Sequence, residues 1–379
     1  MTTMERALNR LYEQVRGQHG TQGLFMATHA LLCSIGVTSP AALLLNINAP
    51  FGKFAMDRSY LNLNGNTAWL VMEFVSPLTF VLSVCGPPLS GRPFTWQFEA
   101  QKSIFGASFS DTLAELTPTL PTLDLLNALT LPSKVLAILF IVHYANRSVI
   151  STLRQPTARA PIHFLPFIMA CFFNLANGFL MGSWVGGRTR TTTSMFLTGG
   201  QRGGLPGDAA ASPLFWLGIS LWLFGFVGNL VHDEILYNLR RAKQGETRPR
   251  YSIPRGLMYD APFGGISHPA YLCEWIEWTG YALAASSVIG VAPPLPIATG
   301  AQPSTLFDLS RWLPKPLRRS IVPRHPMRSP LTYLGPPWVF VALEVSAMLP
   351  RAISGHKWYK AQFGNELPKS RKAIFPGIL

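Results

Sequence analysis

The sequence predicts an all-α fold, a bundle of seven transmembrane helices enclosing a polar cavity. Three observations predict it. The 379-residue chain is 48% hydrophobic and 13% charged, with 24 Phe and 10 Trp, outside the balance of a soluble domain. Apolar segments of roughly 20 residues, the length that crosses about 30 Å of hydrocarbon, recur along it. Amide or ionisable side chains sit inside most of those segments, where each is costly unless paired or hydrated.

The first span covers residues 23–46. Residues 1–22 before it are charged and lack a compact apolar core ahead of a small-residue cleavage site, so they read as an N-terminal extension, not a cleaved signal. The second span, 67–86, carries Glu73 in AWLVMEFVSPLTF. The third, 126–146, ends in ILFIVHYANRS, with His143 and Tyr144 inside and Arg147 just beyond. The fourth, 162–186, holds Asn177 in FFNLANGFLMG. The fifth, 212–232, runs from PLFWLGISLWLFGFV into GNLVHDEILYNLRR. The sixth, 270–292, holds Glu274 and Glu277 in YLCEWIEWTGYAL, and the seventh covers 335–354.

Connections 87–125, 187–211 and 293–334 are too long for simple turns. The last is proline-punctuated and basic, and is expected to be a poorly ordered insertion lying partly on the membrane surface. No repeat appears and no soluble domain fits between spans, so residues 1–379 read as one polytopic membrane domain. The net charge of +14 resides in loops between apolar spans, which points to orientation and lipid headgroups and not to nucleic acid. Lys and Arg are more numerous on the side that holds the C-terminus, which predicts a cytoplasmic C-terminus. The four cysteines, Cys33, Cys85, Cys171 and Cys273, stand singly among apolar residues without C-x-x-C or His at ligand spacing. They read as buried small hydrophobes, with no metal site and no disulfide expected.

Asn229, Asp233 and Arg240 fall at i, i+4 and i+11 and line one helix face at the end of the fifth span. A lone Glu or His in a membrane helix is more often structural, but polar residues on most spans favour a shared cavity. Arg147, Arg240, Tyr251 and Arg351 gather at span ends or the adjoining loop on the C-terminal side, where guanidinium forks suit phosphates. No G-x-x-x-x-G-K-[ST] or strand-to-helix G-x-G-x-x-G occurs, so a nucleotide would be gripped by side chains.

Read in order, APFGKF, AWLVMEFVSP, FIVHYANRS, GNLVHDEILYNLR, YSIPRG, YLCEWIEWTGYALA and HKWYKAQFGNELPKSRKAIFPGIL resemble the steroid 5α-reductase family, from about residue 50 onward. The resemblance implies a seven-helix enzyme of the endoplasmic reticulum membrane. Such an enzyme uses NADPH to reduce the C4–C5 double bond of a 3-oxo-Δ4 steroid, with the bilayer and a hydrophobic steroid-like molecule as partners. It implies that Glu73 and Tyr144 hydrogen-bond the substrate carbonyl, where charge builds as hydride arrives at the β-carbon. It places Asn229 and Asp233 toward the nicotinamide and Arg240 at the phosphates. Arg147 and Arg351 would stand around the dinucleotide, with Tyr251 in the following loop and Tyr359 in HKWY. Arg159 corresponds with different local spacing. Two departures shift the expectation: Ala270 stands where animal members carry an asparagine, and Gly355 precedes His356 where they carry consecutive histidines.

Other readings stay open at this point. Relatives of the family reduce polyprenol or enoyl-CoA double bonds. The enoyl-CoA enzymes usually carry an N-terminal ubiquitin-like domain, which 22 residues cannot form, and EWIEW favours steroid over polyprenol. SHPAYL also resembles the R-H-P-x-Y signature of membrane methyltransferases that use S-adenosylmethionine. A non-catalytic relative is the third reading.

Overall fold

A computed structural model of the protein describes residues 20–38, 52–55, 59–86, 126–127, 129–187, 210, 212–241, 251–262, 264–286 and 335–379. The expected N-terminal extension up to residue 19 and the whole of 293–334 lie outside the described residues. The described chain is mostly helical. The long helices are α1 (Gly20–Thr38), α2 (Gly65–Val84), α3 (Leu131–Tyr144), α4 (Phe164–Val185), α5 (Pro213–Arg240), α6 (Pro269–Ala285) and α7 (Pro336–Phe363). α3 runs on through a π-helical turn, Ala145–Ile150, and a last turn, Ser151–Arg154.

Five of these helices are long and apolar enough to cross a membrane: α2, α3 with its continuation, α4, α5 and α7. The other two expected spans are also helical but do not reach that standard among the described residues. α6 has only 17 residues and carries Glu274 and Glu277. The all-α expectation misses one element, a two-residue antiparallel clip in which β1 (Asn62–Leu63) pairs with β2 (Ile162–His163). It ties the entry of α2 to the entry of α4.

Local sequence explains the helix starts. The Asn64 side chain accepts hydrogen bonds from the Asn66 and Thr67 amides, both at 3.1 Å, and so caps α2. Thr130 caps α3 through the Ser133 amide. Pro213, Pro269 and Pro336 open α5, α6 and α7, where the missing N–H costs nothing.

Two helix pairs pack through glycine. On α5, a Cβ at Gly218 or Gly225 would run into the α6 backbone at Gly280 and Ala284 or at Cys273 and Glu277. On α4, Gly178 and Gly182 meet the backbone of α2 at Ser76 and Phe80. Lipid tails are as apolar as leucine, so close backbone contact between small residues is a main source of helix association in membranes. An aromatic core links the pairs. Phe80 stacks on Phe140 at 4.1 Å, Phe140 meets Trp278 at 5.8 Å, and Trp278 meets Phe340 at 4.6 Å. Leu78, Ile138, Phe172 and Phe224 point outward and are exposed, as lipid-facing residues are.

Candidate functional site

A cavity of about 780 Å³ opens between α3, α5, α6 and α7, with walls that also include Trp69 of α2 and Leu165 and Met169 of α4. Of the residues the sequence singles out, Arg147, Asn229, Asp233, Arg240 and Arg351 line it together. Arg159, whose spacing fits the family less well, lines it too.

Arg147 is at the centre. It sits in the π-helical turn, a widening that frees a backbone carbonyl from the regular ladder. The Arg147 carbonyl accepts the Trp69 indole N–H at 3.0 Å and the Ser151 hydroxyl at 2.6 Å. Its guanidinium bridges two helices, with Nε 3.2 Å from Glu73 Oε1 and Nη1 3.1 Å from Glu274 Oε1. Asn229 Nδ2 reaches the other Glu274 oxygen and the Ala270 carbonyl, each at 3.4 Å. His143 Nδ1 lies 2.6 Å from Glu277 Oε1. The guanidiniums of Arg147 and Arg159 both lie over the Trp69 ring, at 5.2 and 4.5 Å.

Glu73 and Tyr144 are both buried but do not line the cavity. The Glu73 carboxyl is held by Arg147, and the Tyr144 hydroxyl accepts a hydrogen bond from Asn177 Nδ2 at 3.1 Å. The two predicted catalytic groups therefore stand outside the cavity lining, with Arg147 between it and Glu73. Tyr251 and Tyr359 fall instead in an aromatic cluster at the C-terminal end of α7. Tyr251 meets Trp358 at 4.8 Å, and Tyr359 meets Trp358 at 5.3 Å.

Sequence reading marks His143, Glu274 and Glu277 as polar residues at membrane depth but assigns them no role, and all three line the cavity. Glu344 escapes it altogether. This half-buried carboxyl on α7 interacts electrostatically with Arg147, Glu274 and Glu73. Its signal was available, because a single Glu in the apolar run VALEVSAMLP is expensive without a partner.

The cationic wall suits an anionic ligand. Arg147, Arg159, Arg240 and Arg351 come from α3, the loop after it, α5 and α7. Burial pulls Arg159 below the ordinary guanidinium value, against the pull of Tyr237, and its buried Nε has no partner among the described residues. A phosphate supplies the acceptor that such an atom lacks. The donor set thus fits a phosphate-bearing nucleotide, with Asn229 and Asp233 on the same wall for polar contacts. No group of His, Cys, Asp and Glu able to hold a metal occurs among the described residues.

The C-terminal segment packs against residues 256–268 as a clasp. Lys372 N donates to Gly265 O at 2.8 Å, Ser267 N to Lys372 O at 2.9 Å and His268 N to Ala373 O at 3.1 Å. Arg371, 1% exposed, binds Asp260 Oδ1 at 2.8 Å, and the Gly256 amide caps the same carboxyl at 2.7 Å. Burial raises the Asp260 carboxyl, but the Gly256 amide and Arg371 outweigh it and hold the group below the usual carboxylate range.

The model of the family described as 3-oxo-5-alpha-steroid 4-dehydrogenase matches residues 160–296 and 332–379. The chain belongs to that family. Those residues take in α4 to α7 and the clasp. The aligned relatives extend further. The bovine (Bos taurus) protein named 3-oxo-5-alpha-steroid 4-dehydrogenase 1 is 26% identical over 349 residues, 92% of this chain and 95% of its own length. A tomato (Solanum lycopersicum) protein named steroid 5-alpha-reductase DET2 is 27% identical over 244 residues, 62% of this chain and 66% of its own length. An uncharacterized protein of Schizosaccharomyces pombe is 28% identical over 369 residues, 94% of this chain and its whole length.

Within this steroid dehydrogenase family the two departures acquire positions. Ala270 lines the cavity, where its carbonyl takes the Asn229 amide. Gly355 is buried on α7, and His356 beside it bonds Ser267 at 2.8 Å, so that histidine supports the clasp.

Proposed function

We propose that the chain is an NADPH-dependent reductase of the C4–C5 double bond of a 3-oxo-Δ4 steroid or a similar enone lipid. The observation that carries this reading is Arg147, which lines the phosphate-suited wall and also holds Glu73. Bound NADPH would supply the hydride. Arg147, Arg240 and Arg351 would hold its phosphates, Asn229 and Asp233 its nicotinamide end, and Tyr251 and Tyr359 the outer part.

Tyr144 and Glu73 would act on the substrate carbonyl. Reduction at the β-carbon moves charge onto the carbonyl oxygen, and a phenol O–H aimed there stabilises that charge and donates a proton as it forms. Glu73 would donate to the same carbonyl oxygen through a carboxyl O–H, with Arg147 holding its other oxygen in place. In this reading residues 1–379 form one domain of seven spans around an enclosed cavity, in the endoplasmic reticulum membrane with a cytoplasmic C-terminus. Four arginines around one cavity favour a phosphate-rich dinucleotide over S-adenosylmethionine, which has no phosphate.

The test is NADPH consumption by detergent-solubilised protein with a 3-oxo-Δ4 steroid, with a polyprenol as control. Steroid-dependent oxidation is expected, with a drop of about a hundredfold or more in Tyr144→Phe. Turnover unchanged in that variant would remove Tyr144 from the mechanism. Methyl transfer from S-adenosylmethionine in place of NADPH oxidation would overturn the reading.

A further inference from the structure

His143 has no role in the mechanism above, yet carboxyl and aromatic groups surround its ring closely. It is 4% exposed, and its ring packs edge-on against Tyr144 at 5.1 Å and Trp278 at 4.7 Å. Nδ1 is engaged by Glu277 at 2.6 Å, and Glu277 is 0% exposed. The other ring nitrogen, Nε2, is 3.9 Å from Glu274 Oε1, within reach of an ion pair but too far for a hydrogen bond. Both His143 and Glu277 line the cavity.

A carboxyl on one imidazole nitrogen decides which nitrogen carries the proton and fixes the ring, as carboxylate partners do for catalytic and metal-bound histidines. We infer that His143 is a further ligand-contacting residue of this cavity, and that Glu277 is a positioning residue acting through it by committing Nε2 to the cavity. The ligand group it fits is a single polar function on an otherwise apolar ring, because Phe226 lines the cavity and Tyr144 and Trp278 pack on the His143 ring just behind that wall. A substrate enone carbonyl and a nicotinamide carboxamide share that chemistry. The groups facing the pair are Glu274 on α6, Arg147 in the turn after α3, Glu73 on α2 and Glu344 on α7, so its charge state is felt by the whole Arg147 bridge.

The inference rests on the proposed reduction for its catalytic readout but not for its binding readout. Four variants of the full chain decide it: His143→Leu, Glu277→Leu, Glu277→Gln and the double Leu variant. Steady-state kinetics with NADPH and a 3-oxo-Δ4 steroid would be combined with NADPH affinity from cofactor fluorescence and with melting temperature. Each Leu variant is expected to lose about tenfold or more in kcat/KM, the double no more than either alone, while Glu277→Gln recovers most of the activity. A change confined to the steroid KM identifies the enone as the contact, and one confined to NADPH affinity identifies the carboxamide. Additive losses, or melting temperatures that fall while kcat/KM per folded protein stays constant, would make the pair structural and overturn the inference. If the wild-type protein reduces no enone, the proposed function falls. NADPH affinity then decides separately, because a His143→Leu variant that binds as tightly as wild type overturns the inference.

Discussion

Arg147 shows how much one side chain can be asked to do. Its planar fork meets two carboxyls from two helices at once, a geometry that a point charge on a flexible stem does not reproduce. Arg147→Lys is therefore expected to keep one partner and abandon the other, lowering kcat/KM by about tenfold or more, or about 1.4 kcal/mol. Steady-state kinetics at matched melting temperature check this. The residues that sequence reading located share a helix face: Asn229, Asp233 and Arg240 appear together because 3.6-residue periodicity displays them together. His143 and Glu277 are 134 residues apart, so no local pattern links them, and only the packing of α3 on α6 brings them into contact. Glu73 was legible as a carboxyl at membrane depth. Its partner Arg147, 74 residues away, was legible only as another member of the set.

Hydropathy located the helices better than their ends, for a physical reason. It reads the thickness of hydrocarbon, while the helix continues as long as its backbone bonds and side chains allow. α5 was expected to end at 232 and runs to Arg240, and α7 continues past 354 to Phe363, because the polar turns beyond the apolar run are still good helix. Those added turns carry Asp233, Arg240 and Tyr359, three of the residues proposed to hold the cofactor. α6 is the opposite case: an expected span to 292 ends at Ala285. Its pairing with α5 depends on glycine contact, and Gly225→Ala would push a methyl into the backbone at Cys273 and Glu277. Overpacking of that kind costs about 1–3 kcal/mol. A lower melting temperature in detergent is expected, accompanied by a loss of activity because Glu277 moves with the backbone. An unchanged melting temperature would mean that the α5–α6 contact yields without cost.

On the scale of the molecule, the clasp couples the C-terminal segment to the loop that follows α5. Asp260 is its titratable joint. Because its folded-state carboxyl lies below the usual value of 3.8, its contribution to stability is present above that value and is lost as pH falls through the lower folded value. Acidification below about pH 4 should release the clasp. Melting curves across pH 3 to 7 should show this loss in the wild type and a flatter profile, starting from a lower melting temperature, in Asp260→Asn. Sequence alone marked PKSRKAIFPGIL as distinctive but gave no reason for it. The reason is long-range, since Arg371 and Asp260 are 111 residues apart.

The chain's last turn folds back on itself, with the amides of Ile374 and Phe375 donating to the carbonyl of Leu379 at 2.8 and 2.7 Å. Anyone expressing this protein inherits a practical constraint from that. Trimming the chain short of Leu379 would leave the Ile374 and Phe375 amides without that acceptor and loosen the segment beside Gly265 and Ser267. Keeping Leu379 in any expressed version preserves that turn and the clasp it belongs to.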